Sequence, residues 1–350
     1  MISTIILGTL LSSATQSPPK YEIHLLPNEY YPTAISDTNR IGASMKGRVF
    51  LLTLNQKEST WTIEDTPGWT TIRQFDSRGR ILFYGKQNSF ISNEKFEELT
   101  PKFRIPGMVD YLTDAGGIIG HDSVNAFPLT GTRIIPWLIR PDGEVGNIFI
   151  PADKELIYPL GIISSNPSGQ MILLVKGKKL NEVTGRFDTV VSVLYYKDTG
   201  ELVGSHDLPY FLWERVQPAC YDDQGDFYFS ARSQNPSLPS GGYRLSRSGI
   251  LTELFGATRN TAYLVADSNA KINVGTIPGR DQRNWAVAAR AAISTRGGPT
   301  YDLNNLATNL SDSIILVACK KINKNGSIIG TARYSYKNQA TLNFVAIPVK

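Results

Sequence analysis

Along most of this chain apolar residues come in short runs rich in Val, Ile, Leu, Phe and Tyr, and each run gives way to a polar stretch containing Gly, Asn or Asp. Tyr21–Leu26, Gly47–Leu54, Trp137–Arg140, Val193–Tyr196, Ile314–Cys319 and Asn343–Val349 are such runs. β-Branched and aromatic residues fit a pleated, half-buried surface, so the runs predict strands. The polar stretches predict tight turns, and three of them join neighbouring runs as hairpins: Pro141-Asp142-Gly143, Lys197-Asp198-Thr199-Gly200 and Ser246-Arg247-Ser248-Gly249. The best helix candidate, Ser92–Leu99, is short.

One strand–turn–strand pattern recurs seven times, most clearly at Ile322-Asn323-Lys324-Asn325-Gly326-Ser327-Ile328-Ile329-Gly330. Aligned on the turn, the copies place Asn39, Gly79, Gly116, Gly169, Gly225, Asn269 and Gly326 at one position, 37 to 57 residues apart. Gly and Asn are the residues that most readily take a positive φ, so the position is expected to serve backbone geometry rather than side-chain chemistry. An Asp, Asn or Ser just upstream can bond its own backbone and fix the turn. Each copy is followed by material for a second hairpin, and four short strands per unit is the blade of a β-propeller. The last unit is one strand short, while Tyr21–Leu26 has no hairpin partner of its own. Pairing the two closes a ring and removes two exposed edges.

The expected fold is therefore all-β: residues 20–350 as a single seven-bladed β-propeller of four-stranded blades, the last blade closed by an N-terminal strand. Six or eight blades result if one copy is spurious or an irregular unit hides another, and an elongated β-repeat array is the structural alternative. Residues 1–16 contain a short apolar run ending in small residues, like the later part of a secretory signal peptide but without its charged start. The other reading is a frayed tail. No later run approaches the roughly 18 apolar residues of a membrane helix, so no membrane insertion is expected.

The net charge of +5 comes from 36 basic and 31 acidic residues that are interspersed. Lys176-Gly177-Lys178-Lys179 and Lys320-Lys321 with Lys324 are the densest basic groups, too short for a nucleic-acid patch and suited to turns and strand edges. Cys220 and Cys319 lie in equivalent strands two units apart, which predicts two buried free thiols rather than a bridge.

Candidate chemistry is sparse. The three histidines, His24, His121 and His206, have no metal-ligand spacing. Gly120-His121-Asp122-Ser123 holds the residue types of a catalytic triad in direct succession, where they cannot converge, and reads as a polar turn after a strand. Asp222, Asp223 and Asp226 are the best calcium candidates, but they lack the alternating carboxylates and terminal Glu of an EF-hand loop and read as an Asx-stabilised turn. No GxSxG elbow, P-loop or dinucleotide fingerprint occurs, and no cofactor is implied. Asn309-Leu310-Ser311 and Asn325-Gly326-Ser327 fit the glycosylation triplet. Most of the five tryptophans (Trp61, Trp69, Trp137, Trp213, Trp285) should pack between blades, with one or two available for a saccharide rim. The extra length of the longer units falls in Lys176–Asp188, Arg232–Gly242, Thr276–Asn284 and Arg296–Ser311, expected to be loops that carry whatever binding there is.

Ile322–Gly330 followed by Asn343-Phe344-Val345-Ala346, and Asp114–Gly120 followed by Asn125-Ala126-Phe127-Pro128-Leu129, resemble the HAF-repeat family of bacterial extracellular proteins, whose units carry an I-N-x-x-G-x-I-x-G turn and then an Ala-Phe strand. Tyr21-Glu22-Ile23-His24-Leu25-Leu26-Pro27 is similar to that family's opening strand. Units one and two match more loosely, and units four to six keep the turn but lose most of the Ala-Phe strand. The resemblance implies a secreted, periplasmic or cell-envelope repeat protein and transfers no catalytic residue. The expectation for function is a monomeric, non-enzymatic binding or interaction module for a glycan or protein, with no nucleic-acid partner. The alternatives are a propeller enzyme acting on polysaccharide or lactone, of glycosidase, lyase or lactonase type, and an assembly protein.

Overall fold

The computed structural model describes residues 18–27, 29–66, 71–85, 89–100, 107–125, 132–156, 162–166, 169–181, 185–208, 211–222, 224–233, 241–254, 264–269, 271–277, 289–295, 299–335 and 341–349. They form seven antiparallel sheets. The innermost strands are Tyr31–Ile35, Thr71–Phe75, Met108–Leu112, Ile162–Ser165, Phe211–Tyr221, Leu264–Ser268 and Ile314–Ile322. Each touches the next in turn and the last touches the first, so the sheets are blades 1 to 7 of a closed propeller. The one helical element that lies wholly within the described residues is a single 3-10 turn, Leu303–Asn305.

Both faces of a blade pack on its neighbours, which explains why the apolar runs are continuous rather than alternating. Val49, Phe50, Leu51 and Leu52 are all buried, as are Met171 through Val175. The core accordingly lies between blades: Leu82 and Ile91 of blade 2 pack with Val109, Ile118, Trp137 and Ile139 of blade 3.

Closure follows the expected route. Tyr21–Leu25 pairs with Thr341–Pro348 from Tyr21↔Pro348 to Leu25↔Phe344 and is the fourth strand of blade 7. Its other edge is also covered. The Tyr21 amide donates to Leu306 O (2.9 Å) and the Thr308 amide to Tyr21 O (2.8 Å). The Asn309 side chain then grips Ile23 at both backbone atoms, accepting from its amide (2.7 Å) and donating to its carbonyl (3.0 Å). Trp61 Nε1 donates to Leu25 O from the outer strand of blade 1. Asn309 heads one glycosylation triplet, and its amide is occupied by this grip.

Three expectations are corrected. Ser92–Leu99 is not a helix: Asn93 Oδ1 accepts the amides of Lys95 and Glu97, and Phe96 takes φ 61°. An Asn at the head of the segment caps a turn more readily than a helix interior. Five sheets have four strands, but blade 2 has three, extended by a bridge between Ser92 and Glu98, and blade 4 has five. Lys176–Asp188 is not a loop, because residues 176–181 and 186–188 belong to two paired strands, Met171–Asn181 and Arg186–Tyr196. The motif's final glycine also has a local cause. A Cβ at Gly330 would meet Phe344 at 2.6 Å, and one at Gly120 would meet Trp137 at 2.2 Å, each across a strand pair. An aromatic ring of the third strand lies over the bare backbone of the second. In blade 3 that partner is Trp137, whereas Ala126-Phe127 lies outside the described residues.

Asn309→Ala strips the Ile23 backbone of both partners and is expected to lower stability by about 2–3 kcal/mol in urea melts. Deleting residues through Leu26 removes the strand itself and is expected to abolish the single cooperative transition; a truncated protein that melts like the intact one would refute closure by this strand.

Candidate functional site

The repeated turn has one hydrogen-bond pattern. In blade 7 the Asn323 amide donates to Ser327 O, Gly326 N donates to Asn323 O, and Asn323 Oδ1 accepts from Ser327 N. Ser36, Asp76, Thr113, Asn166 and Asp222 open their turns in the same way, each side-chain oxygen accepting an amide four residues on. Asn39, Gly79, Gly116, Gly169, Gly225 and Gly326 follow three residues later with φ between 61° and 105°. Asn269 stands elsewhere: it opens its turn, with its amide on Ile272 O and its Oδ1 accepting from Lys271 and Ile272. That turn is one residue shorter than the others, so Asn269 matches Asn323 and not Gly326.

Where the opener is Asn, its amide group also reaches the next blade. Asn269 Nδ2 donates to Asn323 O (3.0 Å), and Asn323 Nδ2 to Ser36 O (2.7 Å) and Asn39 Oδ1 (2.9 Å). Asp76 has no such donor, and there Arg80 substitutes. Its guanidinium bonds Asp76 Oδ2 and the carbonyls of Thr113, Gly116 and Gly117 in blade 3. The turns thus form a crown of blade-to-blade links. Lys324 of blade 7 also pairs with Asp114 of blade 3. Blades three steps apart in a ring of seven stand nearly opposite, so this ion pair spans the channel mouth on the turn face.

Three residues before each opener the innermost strand carries a β-bulge, leaving one residue unpaired. The seven are Thr33, Arg73, Asp110, Ile163, Ala219, Ala266 and Lys320. The residue before the bulge is buried at Pro32, Ile72, Val109, Val265 and Cys319, while Thr33, Arg73, Asp110, Ala219, Ala266 and Lys320 are partly or fully exposed. No strand lies inside the innermost one, so these residues line the channel. Its wall is split. Blades 7, 1, 2 and 3 contribute Lys, Thr, Arg and Asp; blades 5 and 6 contribute Ala and Ala.

The polar arc is the candidate site. Asp110 Oδ2 lies 2.6 Å from His121 Nδ1, and Tyr84 OH reaches Asp110 Oδ1 at 3.4 Å from blade 2. Arg73 stacks over the Tyr84 ring at 5.5 Å. His121 sits in the strand Ile118–Asn125, not in a turn, opposite Met108 and so toward the face away from the turns. Lys320 Nζ lies 3.3 Å from the centre of the Tyr31 ring, and burial pushes the ammonium pKa down. Next to the bulge, burial pushes the Asp267 carboxyl up while Lys321 and the Ile322 amide pull it down. Such an arc can hold a ligand by charge, hydrogen bonds and ring faces, and Asp110–His121 can carry a proton. Among the seven bulge residues Asp110 is the one carboxylate, short of the pair that glycoside hydrolysis uses.

The remaining sequence candidates are placed as follows. Asp222 Oδ1 accepts the amides of Gln224 and Asp226, an Asx turn as read, and Asp226 lies 3.7 Å from Arg244. Asp223 lies outside the described residues. His24 is buried near Glu22, and His206 Nε2 lies 2.9 Å from Arg247 O. Trp137 is buried between blades; Trp69 and Trp285 lie outside the described residues. Cys220 and Cys319 are free and buried, and burial pushes the Cys319 thiol up to about 12 and that of Cys220 up as well. Of the long segments, Arg296–Ser311 supplies the grip on the closing strand, and most of Arg232–Gly242 and Thr276–Asn284 lies outside the described residues.

No protein-family model matches this sequence, and no curated protein does. Among solved structures it is similar to the β-propeller domain of the Trilobed protease from Pyrococcus furiosus, whose report describes an open velcro topology. The TM-score is 0.52 at 8% identity, covering 90% of this chain and 95% of that one. It is also similar to YCF48 from Cyanidioschyzon merolae, with a TM-score of 0.50 at 10% identity over 94% and 99% of the chains. At these identities the likeness is one of fold: this chain is a seven-bladed β-propeller.

Asn323→Ser keeps an oxygen cap of the kind Ser36 provides but loses the link to blade 1, whereas Asn323→Ala loses both. Urea melts should show losses of about 1–2 and about 2–4 kcal/mol respectively. The buried thiols set a pH dependence. The folded chain keeps protons that the unfolded chain releases above about pH 9, so their contribution is full below that and falls as pH rises toward 12. Melts at rising pH test this, and native thiols should alkylate at least about a hundredfold more slowly than in urea.

Proposed function

We propose that this chain is a non-enzymatic propeller binding module, secreted or held in the periplasm or cell envelope, whose glycan or protein ligand enters the channel from the face opposite the hairpin turns. The split wall carries this reading: a charged and aromatic arc around Arg73, Asp110 and Lys320 faces small apolar residues, while the repeat's other polar side chains are engaged in the crown. The Lys324–Asp114 pair across the turn-face mouth favours approach from the other side. The resemblance of Ile322–Gly330 to HAF repeats supports the extracellular placement. Among the described residues no helix is long and apolar enough to cross a membrane.

A second reading, an enzyme acting on polysaccharide or lactone, draws on the Asp110–His121 pair, because a carboxylate holding Nδ1 fixes the imidazole for proton transfer. Screening on glycan and peptide arrays separates the two. Binding is expected, weakened at least about tenfold by Arg73→Ala with an unchanged melting temperature, which corresponds to loss of a charge-assisted contact. Turnover of a sugar or lactone substrate that His121→Asn abolishes would overturn the binding-module reading.

A further inference from the structure

Blade 4 carries a feature that neither the ring nor the channel uses. Its strands Met171–Asn181 and Arg186–Tyr196 pair along their full length, from Met171↔Tyr196 to Asn181↔Arg186. Their neighbours stop short. The fourth strand, Leu202–Leu208, reaches only Val191, and the inner segment Lys154–Leu156 reaches only Gly177. Among the described residues, 178–181 and 186–190 therefore have no sheet partner but each other. They extend the hairpin by four residues, about 13 Å, on the face opposite the repeat turns.

A two-stranded ribbon in water gains nothing by carrying large apolar side chains outward. This one does so. Leu180 and Phe187 are direct cross-strand partners, so they share one face, and they are 52% and 68% exposed. Lys178 shares that face two residues on, and is exposed. Along residues 176–189 the chain has four cations, Lys176, Lys178, Lys179 and Arg186, against two acids, Glu182 and Asp188.

We propose that this ribbon docks the propeller onto an anionic lipid surface, with Leu180 and Phe187 entering the boundary between headgroups and acyl chains and Lys178 beside them meeting the phosphates. The scale of the feature selects this occupant. A stable protein interface takes about 800 Å² per partner, more than a ribbon of this length offers with two apolar side chains. A lipid surface needs only an apolar anchor with basic residues beside it, and the charge balance has the sign that anionic headgroups attract. The contact is peripheral and reversible, and it is independent of what the channel binds.

Sedimentation of the full chain with vesicles tests the proposal, comparing phosphatidylcholine alone with phosphatidylcholine containing about one third phosphatidylglycerol. Binding to the anionic vesicles is expected, weaker in high salt. Leu180→Ser with Phe187→Ser should lower partitioning at least about tenfold, and Lys178→Glu should remove the preference for anionic lipid. Both variants should leave the thermal melt unchanged. As a second readout, Phe187→Trp should show blue-shifted emission on adding anionic vesicles. The proposal is overturned by equal or absent binding to the two vesicle types, by a double-serine variant that partitions like the natural protein, or by an unshifted tryptophan. Capture of a protein through this ribbon without vesicle binding would also overturn it.

Discussion

Everything in this molecule depends on the pairing of Tyr21–Leu25 with Thr341–Pro348. A blade is stable only because neighbouring blades bury both its faces, and the first and last blades have neighbours on both sides only when the ring closes. The pairing joins segments more than 300 residues apart, as does the Asn343–Tyr30 bond with its separation of 313. Closing so long a loop costs entropy before any contact is gained. The Asn309 grip and the Leu306 and Thr308 contacts answer that cost by giving the strand a second bonded edge. The outermost strand of blade 7 is therefore held from both sides, a firmer arrangement than a simple edge strand.

The crown and the bulges show how one repeated unit performs two tasks. Its turn residues hold the ring together, and the choice of opener sets how. Asn both caps its turn and reaches the next one; Asp can only cap, and at Asp76 the missing donor is restored by Arg80. Three residues upstream the same unit frees one residue per blade from pairing and turns it to the channel. Scaffold and wall are thus written in adjacent but separate positions.

Much of this was legible in the sequence. The six positive-φ positions could be found because a left-handed turn admits few residue types, and the closing strand because the last unit was visibly one strand short. Asn269 misled because Asn suits both the opener and the left-handed position, and only the hydrogen bonds show that its turn is a residue shorter. The bulges left no trace, since Thr33, Arg73, Asp110, Ile163, Ala219, Ala266 and Lys320 share no chemistry; what they share is register. Asp110 and His121 likewise meet through a register shift that spacing does not reveal. Lys176–Asp188 read as a loop because Lys, Gly and Asn have weak strand preference, which pairing across eleven residues overrides.

A bulged residue is skipped in the strand register, so replacing it leaves the backbone ladder on either side in step. The seven bulges therefore act as sites for variation around one axis, where a side chain can change while the strand register stays the same. The present split, polar at Thr33, Arg73, Asp110 and Lys320 and small and apolar at Ala219 and Ala266, is then one setting among many that this frame can hold. A lineage could move from one ligand to another by single substitutions at these positions, without passing through an unfolded intermediate.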